Sequence, residues 1–141
     1  MAGQSEAKVN VRDYMARKPQ VLGVNDTLDL AEDIMTMGRI RHLPVLDEGK
    51  LVGIISQRDM FRSAAVTALG FEVDTQKALV KTIRVKKVMT EKVVTISPDA
   101  TVKEAASLMI EKKIGCLPVV EGMKLIGIIT ETDILRYVLE H

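Results

Sequence analysis

The sequence predicts an α/β fold in which two pseudo-symmetric β-α-β-β-α repeats pack through their small sheets. Residues 15–62 and 89–136 align at one constant offset of 74 without a gap, and 16 of the 48 aligned positions are identical. Each copy also contains two short aliphatic runs around a glycine-containing turn, a pattern typical of hairpins. Because a unit of about 50 residues buries too little surface to be stable alone, we expect the two copies to pack together.

Each copy begins with a short strand followed by an amphipathic helix. In the first copy, residues 20–24 are β-rich and a helix is predicted from about Thr27. In the second copy, residues 93–96 are β-rich, and Thr101 and Glu104 have the spacing of a capping box. Apolar residues at helical spacing predict one buried face for each helix. These residues are Leu28, Ala31, Ile34, Met35 and Gly38 in the first copy, and Val102, Ala105, Ala106 and Met109 in the second.

Two hairpins follow the helices. Residues 43–46 and 51–55 predict the first hairpin, and residues 117–120 and 125–129 predict the second. The second strand of each hairpin is almost continuously aliphatic, which is typical of a strand covered on both faces. We expect helices on one face and the other copy's sheet on the second face.

Closing helices are predicted from near Ser56 and near Thr130. The first should continue through residues 64–69 and end at Gly70, before a short helical connector over 73–81. The predicted organisation is a polar tail at 1–8, the first repeat at 9–68, a partly helical linker at 69–84, the second repeat at 85–138, and a candidate expression-tag stub at 139–141.

Composition favours a cytoplasmic protein. The 141 residues are 47% apolar and carry a net charge of +1, so no global basic bias favours nucleic acid or an anionic membrane. Cys116 is the single cysteine, which excludes an intramolecular disulfide and favours a reducing compartment. No apolar run approaches the ~20 residues that span a bilayer. We therefore expect no membrane insertion and no nucleic-acid partner.

The residues do not favour an enzyme. Nucleophilic catalysis needs a serine or cysteine with a base and an orienting partner. The sequence offers one candidate base, His42, and Cys116 stands at the position that matches it. Clustered cysteine and histidine ligands for a metal are absent from the sequence. We expect no catalytic residue, no metal and no obligatory cofactor.

One motif recurs where a strand turns into a closing helix, as Gly-Ile-Ile-Ser-Gln-Arg-Asp and Gly-Ile-Ile-Thr-Glu-Thr-Asp. It places Ser56 three residues before Asp59, and Thr130 three residues before Asp133. One interpretation is helix capping by the hydroxyl and the carboxylate. The other is ligand binding, in which the hydroxyl bonds a phosphate and the carboxylate accepts from ribose hydroxyls. Spacing alone favours capping, and the repetition does not decide, because a duplicated fold duplicates its caps.

Two such units, each carrying Leu-Pro-Val before the Gly-Ile-Ile-Ser/Thr-x-x-Asp motif, resemble a tandem pair of CBS (cystathionine-β-synthase-type) domains. The resemblance covers roughly residues 9–68 and 85–138. In that family the pair forms a Bateman module with two clefts between the sheets, and these clefts commonly bind AMP, ADP, ATP or S-adenosylmethionine. The resemblance implies that each motif's carboxylate holds ribose hydroxyls and each hydroxyl a phosphate, which shifts the balance towards a ligand role.

The two copies differ around the motif. Arg41 and His42 precede the first hairpin and, with Arg58, are candidate phosphate contacts at the mouth of the first cleft. A solvated basic edge is an equally good interpretation of any one of these residues. The second copy has Gly115 and Cys116 at the positions of Arg41 and His42. We therefore expect unequal sites, with the first copy favouring a charged ligand.

The resemblance also implies an apolar pocket for adenine, built from the first strand of each copy and the residues around each hairpin's proline. Spacing alone favours a core role for each of these aliphatic residues. The implied positions are Val21, Leu22, Ile40 and Pro44 in the first copy, and Thr95, Ile96, Ile114 and Pro118 in the second. Cys116, at the mouth of the second cleft, is a further predicted ligand contact.

The function that follows is a non-catalytic regulatory sensor. We expect a homodimer that binds an adenine nucleotide (AMP, ADP or ATP) and signals occupancy to an unknown effector protein. Phosphate would draw Arg41, His42 and Arg58 together across the inter-repeat cleft and favour one orientation of the repeats. The alternatives are a sensor of an S-adenosylmethionine-type ligand and a structural dimerisation module with no ligand.

Overall fold

The computed structural model describes residues 8–60, 62 and 80–141. The chain forms two compact units: one combines the N-terminal residues up to Pro19 with Val94–His141, and the other is Gln20–Val93. Each unit contains one three-stranded sheet with helices, so the predicted α/β class with two small sheets is confirmed. The connector predicted over 73–81 lies outside the described residues as far as residue 79, as do residues 1–7 of the predicted tail.

In each repeat a helix, a hairpin and a closing helix follow in the predicted order, while the predicted first strand of the second repeat is reduced to a single bridge at Ile96. In chain order the elements are α1 (Val11–Tyr14), β1 (Ala16–Arg17), β2 (Leu22–Gly23), α2 (Leu28–Gly38), β3 (His42–Asp47), β4 (Lys50–Ser56), α3 (57–60 and 62 of the described residues), a 3-10 turn (Val85–Lys87), α4 (Val102–Lys112), β5 (Cys116–Glu121), β6 (Lys124–Thr130) and α5 (Glu131–Glu140).

Both predicted hairpins form, and they share one register. His42 lies opposite Ser56 in the β3–β4 pair, and Cys116 lies opposite Thr130 in the β5–β6 pair. The first turn uses positive φ at Glu48 (49°) and at the following glycine (81°), as a type I′ turn requires. The second has positive φ only at Gly122 (63°), as in a type II′ turn. The hairpins therefore bring the start of one strand beside the end of the next.

The first strand of each repeat is shorter than predicted. In the first repeat only Leu22 and Gly23 pair, in parallel with β3. In the second repeat a single bridge joins Ile96 to Val119, with the Ile96 N–H donating to the Pro118 carbonyl at 3.1 Å. Pairing stops there because Pro98 follows and has no N–H to extend the ladder.

The helices confirm most of the predicted core face. Thr101 and Glu104 form the predicted capping box, with reciprocal bonds of 3.0 Å between each side chain and the other residue's N–H. The prediction was wrong for Gly38, which is exposed because it is the last residue of α2. The buried members of the two faces are Leu28, Ala31 and Met35 in α2, and Val102, Ala105 and Met109 in α4.

The sheet of each unit pairs with a short segment from the start of the other repeat. β1 pairs with β6, so residues before the first repeat's strands complete the second repeat's sheet. In the other unit, Ile54 and Thr90 exchange both backbone hydrogen bonds, at 3.0 and 2.8 Å. The compact units are therefore not continuous stretches of sequence.

Aliphatic side chains fill both cores. Leu22, Leu43 and Ile55 are at most 1% exposed in the Gln20–Val93 unit, and Leu117 and Ile129 are fully buried in the other. Among the residues that the structure describes, no helix combines the length and apolar character needed to cross a bilayer.

Candidate functional site

In the first repeat, Ser56 and Asp59 form a capping box where β4 runs into α3. The Ser56 N–H donates to Asp59 Oδ2 at 2.8 Å, and the Asp59 N–H donates to Ser56 Oγ at 3.0 Å. Both residues are half-buried. None of the described residues donates to the second carboxylate oxygen, Oδ1, in a recorded hydrogen bond. The predicted cap therefore forms, and the Asp59 carboxylate can still accept further hydrogen bonds.

The basic residues of the first repeat lie beside this motif. Arg39 caps the end of helix α2, and its left-handed backbone (φ 53°) turns the chain towards β3. The Arg41 carbonyl then accepts a hydrogen bond from the Gln57 N–H at 2.7 Å, which ties the loop to the first residue of α3. His42 is half-buried and lies opposite Ser56, while Arg41 and Arg58 are exposed. The structure thus brings the predicted phosphate contacts to the end of the hairpin that carries the motif.

In the second repeat, the Asp133 carboxylate accepts more hydrogen bonds from described residues than the Asp59 carboxylate does. Its Oδ2 accepts from the Thr130 N–H at 2.9 Å and from the Thr130 hydroxyl at 3.2 Å. Its Oδ1 accepts from Arg136 Nη2 at 2.8 Å. Asp133 is only 9% exposed, the one charged residue recorded as buried in the described part of the chain. The matching carboxylates of the two repeats therefore differ in how many donors already bind them.

In the second repeat, the two positions that match Arg41 and His42 are uncharged. The Gly115 carbonyl accepts from the Glu131 N–H at 3.1 Å, the counterpart of the Arg41–Gln57 bond. Cys116, at the position of His42, is 4% exposed. Desolvation by burial raises the pKa of its thiol to about 12. The side chain is thus a neutral, buried thiol and offers no charge to a ligand.

The residues implied for the adenine pocket fall into three classes of exposure. Four are buried, and Leu22 belongs to the fully enclosed core. Val21 and Thr95 are exposed, each directly before a residue of a first strand that points inward. The buried residues are Leu22, Pro44, Ile96 and Pro118. The half-buried residues are Ile40 and Ile114, and the exposed residues are Val21 and Thr95.

Sequence reasoning missed Arg136 as part of the second motif's surroundings. Its guanidinium bridges Asp133 and the Tyr14 carbonyl, the latter at 3.1 Å. The only signal in the sequence is an arginine three residues after the motif's aspartate in both copies, Arg62 and Arg136. The described residues contain no group of three or more histidine, cysteine or carboxylate side chains that could hold a metal.

Two surface depressions lined by described residues lie away from these motifs. One, of about 440 Å³, lies along α4 and includes Ile96, Lys103 and Leu108. Another, of about 490 Å³, lies in the Gln20–Val93 unit and includes Asp47 and Lys86. Of the residues predicted to bind ligand, Ile96 alone lines either depression.

The family model of the CBS domain matches residues 11–65 and 85–140. Over 129 residues the chain is 32% identical to the uncharacterized protein MJ1225 of Methanocaldococcus jannaschii, a match that covers 90% of this chain and 46% of that protein. The chain thus spans about half the length of that relative.

Two solved structures with similar folds contain adenosine compounds. One is CBSX2 in complex with AMP, with a TM-score of 0.77, 29% identity and coverage of 94% of this chain and 97% of that one; CBSX2 is a CBS-pair protein of Arabidopsis thaliana. The other is the CBS domain pair of MJ0100 in complex with 5′-methylthioadenosine and S-adenosyl-L-methionine, with a TM-score of 0.77, 30% identity and coverage of 95% and 98%.

Proposed function

This chain belongs to the CBS domain family, and we propose that it is a non-catalytic regulatory module that binds an adenosine-containing ligand. Three compounds bound by the two similar structures, AMP, 5′-methylthioadenosine and S-adenosyl-L-methionine, share an adenosine group. Recognition of adenosine requires acceptors for the ribose hydroxyls. The observation that carries the proposal is the half-buried Asp59, whose Oδ1 retains acceptor capacity beside a serine hydroxyl and two arginines.

At the first repeat, Asp59 Oδ1 would accept from the ribose hydroxyls while Oδ2 keeps the cap bond to Ser56. A carboxylate has about four acceptor positions, so the two tasks are compatible. The Ser56 hydroxyl and the guanidinium groups of Arg41 and Arg58 would bind phosphate, since arginine forms bidentate bonds to phosphate oxygens. His42, opposite Ser56, would add a contact that strengthens when its imidazole is protonated.

The charges of the first repeat favour AMP, ADP or ATP over S-adenosylmethionine. Arg41 and Arg58 attract phosphate, whereas the sulfonium of S-adenosylmethionine would meet charge of its own sign there. The second repeat has two uncharged residues, Gly115 and Cys116, at the positions of Arg41 and His42. Its site would therefore discriminate less between a nucleotide and S-adenosylmethionine.

Calorimetric titration of the intact chain with AMP, ADP, ATP and S-adenosylmethionine tests the proposal. Asp59→Ala should weaken AMP binding about 10- to 100-fold, the loss expected for a hydrogen bond to a charged acceptor. Glu104→Ala is the matched control, because it removes the carboxylate of a capping box to which the proposal assigns no ligand contact. Loss of AMP affinity in both variants, or no binding of any of the four ligands to the parent chain, would contradict the proposal and favour a purely structural module.

We also propose that the protein acts as a cytoplasmic homodimer that reports occupancy to a separate effector protein. Helix α5 supports a second copy as partner, because Leu135, Val138 and Leu139 form an apolar stripe that is 61–86% exposed. Light scattering on a size-exclusion column should give twice the chain mass. Leu135→Lys should lower that mass to one chain, while the same substitution at exposed Met37, on α2, should not.

A further inference from the structure

Arg136 contacts the carboxylate of Asp133, three residues earlier in the sequence, and both the carbonyl and the ring of Tyr14, 122 residues earlier. Its Nη2 donates to Asp133 Oδ1 at 2.8 Å and to the Tyr14 carbonyl at 3.1 Å. Its guanidinium carbon lies 5.7 Å from the centre of the Tyr14 ring, within the range of a cation–π interaction. Tyr14 is itself fixed, because its hydroxyl donates to Glu140 at 2.8 Å and its ring meets Tyr137 edge to face. The arginine is therefore held by an ordered partner.

These contacts leave Asp133 with little capacity for a ligand. Two donors of Thr130 occupy one oxygen and Arg136 occupies the other. A ribose presents two hydroxyl donors, and a buried carboxylate has about four acceptor positions in total. A ribose that bonds Asp133 through both hydroxyls must therefore displace Arg136 or the Thr130 hydroxyl. Arg136 is the easier group to displace, because its side chain is 54% exposed.

The first repeat has the matching arginine, but the residue that matches Tyr14 is not aromatic. Arg62 matches Arg136, and the position that matches Tyr14 is Val88 (14 + 74 = 88). Valine has no aromatic face to hold a guanidinium. Among the described residues, no ion pair joins Arg62 to Asp59. The Tyr14 ring is thus one difference between the surroundings of the two matched arginines.

We propose that Arg136 is a latch that closes the second repeat's ribose site by binding Asp133, and that a ligand opens it by releasing Arg136 from both Asp133 and Tyr14. The inference rests on the proposed function. It assigns an order to the two sites: the first repeat binds adenosine ligand first, and the second binds at higher concentration. It also couples the second site to α1, since release of Arg136 removes a side-chain tie to the Tyr14 backbone.

The test isolates the second site by using the intact chain with Asp59→Ala. In that background, Arg136→Met should tighten AMP binding about two- to fivefold, the range expected from a partly exposed ion pair. Arg136→Lys should fall between the parent and Arg136→Met, because lysine keeps the charge without the planar fork. Arg62→Met is the matched control and should leave the second site's affinity unchanged. Unchanged affinity in Arg136→Met overturns the latch, and weaker affinity also overturns it by making Arg136 a ligand contact.

A second readout needs no substitution at Arg136. In Asp59→Ala, saturating AMP should speed hydrogen exchange at Met15, whose N–H donates to the Val11 carbonyl at the end of α1. Unchanged exchange at saturation would contradict release of Tyr14. Failure of the proposed function is separately visible, because the chain without substitutions would then bind neither AMP nor S-adenosylmethionine.

Discussion

Met15 packs directly against Gly127, with its Sδ atom 2.6 Å from the position that a Cβ on this glycine would occupy. The Ala16 carbonyl oxygen is 2.8 Å from the same point. The other unit repeats the contact between Met89 and Gly53. Each methionine opens one repeat, and each glycine lies in the β-hairpin of the other. The matched glycines are thus required because a neighbouring backbone segment crosses them closely.

Gly127→Ala should destabilise the protein by about 1–3 kcal/mol, because the new methyl group overlaps the Met15 side chain and the Ala16 backbone. Gly53→Ala should act in the same direction through Met89 and the Thr90 carbonyl. Urea denaturation measures both changes.

Gly38→Ala is the control for these variants. Its added methyl group would meet only Ile40, at an ordinary 3.6 Å, and alanine is the better helix former. Its stability should be unchanged or higher. A Gly127→Ala protein as stable as the parent would show that the crossing segment moves aside at no cost.

The thiol of Cys116 should react slowly while the protein is folded. Burial raises its pKa from 9.0 to about 12, so the reactive thiolate is about a thousandfold rarer near pH 8 than in the unfolded chain. Labelling by a disulfide reagent should therefore become fast only in urea. Equal labelling rates in the folded and unfolded protein would place this side chain at the surface.

Asp29 should make stability depend on acid pH. A hydrogen bond from the Thr27 hydroxyl, its largest influence, lowers the pKa of this carboxyl below 3.8. A lowered pKa means that the stabilisation is complete above the unfolded value and is lost as the pH falls through the folded value. The difference in Tm between the parent and Asp29→Asn should therefore shrink between about pH 5 and about pH 2.

Thr27→Val removes the donor and should abolish most of that pH-dependent difference. A difference in Tm that stays constant down to about pH 2 would mean that Asp29 acts through something other than its charge.

Asp59→Ala should weaken AMP binding more than Asp133→Ala does. Among the described residues, the first carboxylate is bound by its own cap alone, whereas the second already binds Arg136 and should contribute less to a ligand. Calorimetry of both variants at one ionic strength measures the difference. Equal losses would mean that the two repeats bind nucleotide equivalently.

The repeat made much of the fold predictable, because the hairpin and the motif that starts the closing helix each occur twice at one offset. Thr101 and Glu104 identified their helix start through spacing alone, and the structure confirms it. The grouping of β1 with β6 was not predictable. A strand of two residues, Ala16–Arg17, is too short to leave a periodic pattern, and its partner lies more than 100 residues away.

The candidate site was predictable only in its local part. The spacing of Ser56 and Asp59 predicts both the cap and the hydroxyl–carboxylate pair, since both depend on one helical turn. The bond between Asp133 and Arg136 depends in turn on Tyr14, which also contacts Arg136 and is 122 residues from it in the sequence. Matched aspartates therefore look equivalent in the sequence and differ in the folded protein.

Amide chemical shifts during an AMP titration test the central claim most directly, because they report where adenosine binds without any substitution. The proposed function predicts saturable shifts at Gln57, Arg58 and Asp59 and at the adjoining Arg41 and His42, at lower AMP concentration than any shift at Thr130–Asp133. Shifts that are absent at saturating AMP, or that leave residues 56–59 unmoved, would contradict an adenosine site at Asp59.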